Sequence, residues 1–219
     1  MPILSEFAVS PKSLERDQAA DLRLQSRSVL SLFESSIKKY KTKDFKKVVV
    51  EVYTGDDNLE PLVSCCLNVC IVKIQEDISS FFSMGTLGKK KYIMKVLFKG
   101  LDLLVENRKI DSEILQEGYA EVRKRNFINC WEFGKKSSPN RKSVARLVCE
   151  HEIDAFTARL IVEDPSGKVL GDKEVIKERP SEYAFVNFLG KLVWKSPSEV
   201  VLLSKAKEEV GKLELKENV

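Results

Sequence analysis

The sequence predicts an α+β fold, with a small mixed sheet covered by helices in the first half and an antiparallel, meander-like sheet in the second. Three observations carry that expectation. Residues 89–109, KKKYIMKVLFKGLDLLVENRK, place Tyr92, Val96, Gly100 and Leu104 in one row, with Ile93, Leu97, Leu101 and Val105 beside it. On a helix these rows form one apolar stripe that leaves Lys91, Lys95, Lys99, Asp102 and Glu106 outside. The runs before the stripe, 48–54 (VVVEVYT) and 62–74 (LVSCCLNVCIVKI), are rich in strand-forming residues. After Asn126 the pattern changes to short alternating segments. Gly100 costs about 1 kcal/mol relative to Ala inside a helix, so it is expected to mark a close backbone approach.

Along the first half, Ile3 to Val9 reads as a short strand ended by Pro11. A helix is expected from about Asp21 to Tyr40, with Leu22, Val29, Phe33, Ile37 and Tyr40 on one face. Six lysines and one acid between Lys38 and Lys47 then read as a solvated cap and linker at the helix C-terminus. Residues 48–54 are expected as a buried strand. The loop 55–61 (GDDNLEP) and the strand 62–74 complete a long-looped hairpin. Thr86 or Ser83 is the expected cap of the central helix. A further helix follows, capped by Asp111 or Ser112, with Ile114, Leu115, Gly118 and Val122 on one face and Arg123, Lys124 and Arg125 in its last turn.

The division is expected at Asn126, giving parts 1–126 and 127–219, folded separately or as one continuous domain. In the second part, 127–133, 143–153, the alternating Phe156–Val162, 168–177, Phe185–Trp194, Val200–Leu203 and Val210–Leu215 read as strands. Asp164-Pro165-Ser166-Gly167 is the turn of a hairpin. The tail 216–219 is polar.

Composition narrows function. The chain of 219 residues is 43% hydrophobic and 32% charged, with a net charge of +4. Residues 1–126 carry 21 basic against 18 acidic side chains and the remainder 16 against 15, so neither part demands a nucleic-acid partner. The N-terminus lacks the pattern of a signal peptide, and no apolar run is long enough to span a membrane. Five cysteines, three at Cys65, Cys66 and Cys70, do not resemble an extracellular disulfide framework, and a reduced cytoplasmic location is expected. In one extended strand Cys66 and Cys70 would share a face and Cys65 would point away.

No stretch carries a recognisable catalytic apparatus. His151 is the only histidine, so any Ser-His or Cys-His chemistry must run through it. Cys149 shares its strand face, and both are expected in a core. Cys66-x₃-Cys70 has no second pair to complete a zinc site, so neither metal nor cofactor is expected. The run 85–91 (GTLGKKK) departs from a phosphate-binding loop, because Ser83 and Lys90 stand where Gly and Ser or Thr belong. Three lysines opening a helix oppose its dipole, unless an anion arrives there. Glu51, Asp56, Asp57 and Lys73 lack the carboxylate-x-Lys spacing of a restriction-type nuclease. Trp131, Phe133, Tyr183, Phe185, Phe188 and Trp194 are expected mainly as core.

The expectation is therefore a non-enzymatic cytoplasmic protein that binds another macromolecule, foremost a protein. A toxin-neutralising immunity protein is its concrete form, because that role needs only a complementary surface. The candidate binding residues are Lys89, Lys90, Lys91, Arg123, Lys124 and Arg125. The alternatives are a nucleic-acid-associated factor, which would also use Lys38–Lys47 and Lys135–Lys142, and an enzyme built around His151.

Overall fold

The computed structural model describes residues 1–55 and 60–215. Asp56 and Asp57 of the 55–61 loop and the 216–219 tail lie outside the described residues. The chain forms two compact units, Met1–Asn129 and Cys130–Val219.

The first unit runs β1 (Ile3–Leu4), β2 (Glu6–Pro11), α1 (Arg16–Ser36), β3 (Tyr40–Lys41), β4 (Phe45–Tyr53), β5 (Leu62–Cys66) and β6 (Asn68–Gln75). A 3-10 turn (Ser79–Ser83), α2 (Thr86–Glu106) and α3 (Ser112–Lys124) follow. Its main sheet has the order β2-β4-β6-β5, with β2, β4 and β6 parallel and β5 antiparallel. The sheet is mixed and the helices cover it, as the sequence pattern predicts. Phe7 and Val9, Val48, Val50 and Val52, and Cys70, Val72 and Ile74 face one core with α1, α2 and α3. Within α2, Ile93, Val96, Leu97, Gly100, Leu101 and Leu104 are buried, while Lys91, Lys95, Lys99 and Asp102 are exposed. That is the predicted stripe, and the helix begins three residues earlier than expected.

Several local expectations change. The first helix starts at Arg16 and ends at Ser36 rather than running from about Asp21 to Tyr40. The Lys38–Lys47 run is not a helix cap: no basic residue lies in the last turn of α1. Instead the run supplies β3 and opens β4 at Phe45, with the buried Thr42 hydroxyl bonded to the Phe45 carbonyl. Gly85 is the N-cap of α2 and no side chain caps it, whereas Asp111 caps α3 by accepting the Glu113 amide at 2.9 Å.

The long-looped hairpin is also replaced. Strand β4 pairs with β6 in parallel, and the stretch 62–74 itself folds back as the β5–β6 hairpin. Leu67 (φ 50°) and Asn68 (φ 66°) form its two-residue turn, which demands positive φ at both positions. This fold-back puts Cys65 opposite Cys70, and the two are joined in a disulfide, leaving Cys66 as an exposed free thiol. The face relationship read from a single strand is thereby reversed, since Cys65 rather than Cys66 shares the face of Cys70.

The second unit contains β7 (Cys130–Ser137), β8 (Val144–His151), β9 (Phe156–Glu163), β10 (Val169–Glu178), the short α4 (Glu182–Phe185), β11 (Lys191–Trp194), β12 (Glu199–Leu203) and β13 (Glu209–Glu214). Two antiparallel meanders result, β7-β8-β9-β10 and β11-β12-β13. Asp164 organises the β9–β10 turn, its carboxylate accepting the Ser166 and Lys168 amides, with Gly167 at φ 86°. Phe185 lies in α4 rather than in a strand and stacks on Phe156 at a centroid distance of 3.6 Å.

Phe127 does not open the second sheet. It is buried with the first unit's core, and the Asn129 amide donates to the Ser28 carbonyl at 2.8 Å, which ties the segment after α3 back to α1. No helix among the described residues is long and apolar enough to cross a membrane.

Candidate functional site

Parallel sheets are ordinarily covered on both faces. In the first unit the helices share a single core on one face, and the other face carries the alternate residues of every strand. Its central row follows from the register: Ala8 beside Val49, Val49 beside Ile71, Ile71 beside Ser64. Ala8, Val49 and Ile71 are half-buried and Ser64 is exposed. Charged rows flank this centre. On one side Glu6 pairs with Lys47 at 3.4 Å. On the other Glu51 takes Lys12 at 2.8 Å and the Tyr53 hydroxyl at 3.3 Å, with Lys73 as its neighbour across the ladder. Two acids and three bases around an apolar centre make a patch of nearly balanced charge.

The Glu51–Lys73 juxtaposition is the part of the nuclease-type constellation that the structure brings together. The Glu51 carboxylate is already engaged by Lys12 and Tyr53, and Asp56 and Asp57 lie outside the described residues.

The basic candidates divide into structural and exposed side chains. Because the helix begins at Thr86, Lys89 closes the first turn of α2 and Lys90 and Lys91 open the second, which eases the expected clash with the helix dipole. Lys90 is only 4% exposed and its ammonium donates to the Phe127 carbonyl at 3.0 Å, so it ties α2 to the chain beyond α3 rather than presenting a charge. Lys89 donates to Gln25 at 2.9 Å and lies over the Phe81 ring. Lys91 is exposed and lies 6.0 Å from the centre of the Phe127 ring. Arg123 and Lys124 are exposed in the last turn of α3, and Arg125 caps it. Lys90 and Lys91 thus reach Phe127, which follows Arg125 by two residues in the chain. Of the Lys38–Lys47 run, Lys38 is paired to Glu117 of α3 at 2.7 Å. On the β7–β8 hairpin of the second unit, Lys135, Lys136, Arg141 and Lys142 are exposed.

His151 and Cys149 are both buried on one face of β8. The imidazole stands edge-on to Phe156 and Phe185, at 6.3 and 5.4 Å between ring centres. Burial, then the neighbouring Cys130, push the Cys149 thiol up to about 12, so it stays protonated and a poor nucleophile at neutral pH. Among the described residues no group of three or more His, Cys, Asp and Glu side chains converges on a point where a metal ion could sit. Of the aromatic candidates, Phe185 is buried, while Trp131, Phe188 and Trp194 are half-buried. The Trp194 indole donates to the Lys136 carbonyl at 3.0 Å, and Phe133 and Tyr183 are exposed.

The open sheet face was missed because VVVEVYT reads as a buried strand. The signal lay in its odd positions, where Lys47, Glu51 and Tyr53 alternate with the buried valines. No family model, curated protein or solved structure matches this chain.

Proposed function

We propose that this chain is a non-enzymatic protein-binding module whose contact surface is the open face of the first unit's sheet. The observation that carries this reading is the one-sided covering of a largely parallel sheet, which leaves Ala8, Val49 and Ile71 as an apolar centre inside a rim of mixed charges. An apolar centre with a polar rim is the general anatomy of a protein–protein contact, and the near-balanced rim favours a protein over a polyanion. The concrete form is a toxin-neutralising immunity protein, a role that requires complementarity and no chemistry.

The test compares wild type with Val49→Asp and Ile71→Asp as bait in the native extract, each first checked for an unchanged circular dichroism spectrum and melting curve. Capture of one specific protein by wild type, lost with both variants and retained by Lys135→Glu, supports the assignment. Equal capture by all four overturns it.

A second reading, association with nucleic acid, is favoured by one observation: Lys91 on α2 and Arg123 and Lys124 on α3 are exposed cations of the first unit. The salt dependence of binding separates the two readings.

A further inference from the structure

The two edges of the first unit's sheet are treated differently. At edge strand β2, the Phe7 amide donates to the Glu34 carboxylate at 2.8 Å and the Phe7 carbonyl accepts from Arg27 at 3.0 Å, both side chains coming from α1. Pro11 at the end of β2 has no N–H to offer. That edge is closed in the ways by which sheets avoid pairing with other chains.

Within edge strand β5 no proline and no capping side chain occurs, and Pro61 stands just before its first residue. The Cα atoms of Cys65 and Cys70 are 4.0 Å apart, which identifies a non-hydrogen-bonded pair of the antiparallel ladder. Cys65, and by alternation Val63, therefore turn their N–H and C=O groups away from β6. No described residue hydrogen-bonds to these groups. From Pro61 to Asn68 the chain carries no charge, and Leu62 and Leu67 are 47% and 90% exposed.

We infer that β5 pairs antiparallel with β5 of a second copy of this chain. The register is dictated by the outward groups: Val63 of each copy exchanges both backbone hydrogen bonds with Cys65 of the other. Ser64 then lies on the two-fold axis opposite itself, Leu62 faces Cys66 of the second copy, and Glu60 faces Asn68. No like charges meet, so the strand is self-complementary as an isologous contact requires. The product is one continuous sheet of two four-stranded halves, which extends the open face across both copies. This inference concerns the edge and stands apart from the identity of any partner on that face.

Sedimentation velocity of the full chain without reductant, from about 1 to 100 µM, tests it. The expected result is a reversible monomer–dimer equilibrium, with the Val63 and Cys65 amides gaining protection from hydrogen exchange as concentration rises. Ser64→Lys puts two ammonium groups face to face at the axis and should weaken the dimer by about two- to fivefold, as Ser64→Glu should with carboxylates. Mixing the two variants should restore dimers as heterodimers. Ser64 is exposed, so both variants retain the fold, which circular dichroism verifies. A wild type that stays monomeric throughout overturns the inference and leaves the edge to a strand of another protein. So does a dimer indifferent to both substitutions, or a pair of variants that fails to recombine.

Discussion

Gly100 lies directly over Val50: a Cβ at position 100 would fall 2.6 Å from Val50 Cγ2 and 2.9 Å from its Cγ1. The contact fixes α2 against the middle of β4 and explains why the most apolar helix tolerates a glycine at its centre. Gly100→Ala gains about 1 kcal/mol of helix propensity but forces a β-branched side chain with little χ1 freedom to move, an overpacking cost of about 1–3 kcal/mol. Net destabilisation is expected in urea melts. In the Val50→Ala background, where both methyl groups are gone, the same change should become stabilising. A stabilised single variant would show that α2 does not approach β4 this closely.

The two sides of α2 should differ in energetic weight. Leu97→Ala or Leu101→Ala removes a fully buried side chain and should cost about 2–5 kcal/mol, against roughly 0–1 kcal/mol for Lys95→Ala or Lys99→Ala. Urea melts of the four variants decide it, and equal effects would sink the amphipathic assignment.

Those two lysines share a partner. Glu76, with a side chain 12% exposed, takes Lys95 at 2.7 Å and Lys99 at 2.8 Å. Burial pushes its carboxyl up, but the bonds and charges of the two ammonium groups outweigh it and hold it below the ordinary value of 4.5. A depressed carboxylate contributes stability that is full above its unfolded pKa and lost as pH falls through the folded one. Wild type should therefore lose more stability than Glu76→Gln as pH is lowered from neutral through the carboxylate range, and the gap between their melting temperatures should narrow in acid. A gap constant with pH would mean that the pair contributes nothing through charge.

Burial orders the reactivity of the three free cysteines. Cys66 is exposed, Cys130 half-buried and Cys149 buried with its thiol pushed up to about 12. Alkylation of the native protein near pH 8, followed by peptide mass spectrometry, should label Cys66 first and Cys149 only after unfolding. His151→Asn should lower stability, since the ring it replaces packs against Phe156 and Phe185. Rapid labelling of native Cys149 would place it at the surface instead.

Regular periodicity was what the sequence made legible. The stripe of α2, the alternation of β8 and β9 and the Asp164–Gly167 turn each follow from local spacing or turn chemistry. The errors fall where tertiary contacts decide. Leu67 is no turn-former, yet it adopts positive φ because the hairpin must close there; that one residue moved Cys65 to the other face and created a disulfide. Lys90 reads as a surface charge and is buried because the Phe127 carbonyl needs a donor. The open sheet face depended on which side the helices chose, and the spacing within a strand does not state that choice.

Partner class is separable by salt. The exposed Lys91, Arg123 and Lys124 and the exposed cations on the β7–β8 hairpin invite a nucleic-acid test, because neutralising about six phosphates costs about 10³-fold in affinity between 50 and 200 mM salt. A protein partner seated on Ala8, Val49 and Ile71 has mixed charges only at its rim, so its affinity should change far less and depend on a few buried anchors. The second pattern is expected. The net charge is only +4, Lys90 is spent within the fold, and Lys38, Lys47 and Lys124 face acids of their own at 2.7, 3.4 and 3.8 Å. Binding to duplex or single-stranded oligonucleotides should therefore stay weaker than about 1 µM at physiological salt, the range of non-specific association. Fluorescence anisotropy across a salt series measures this directly. A nanomolar, salt-steep complex, weakened by charge reversal at Lys91, Arg123 and Lys124, would assign the surface to nucleic acid instead.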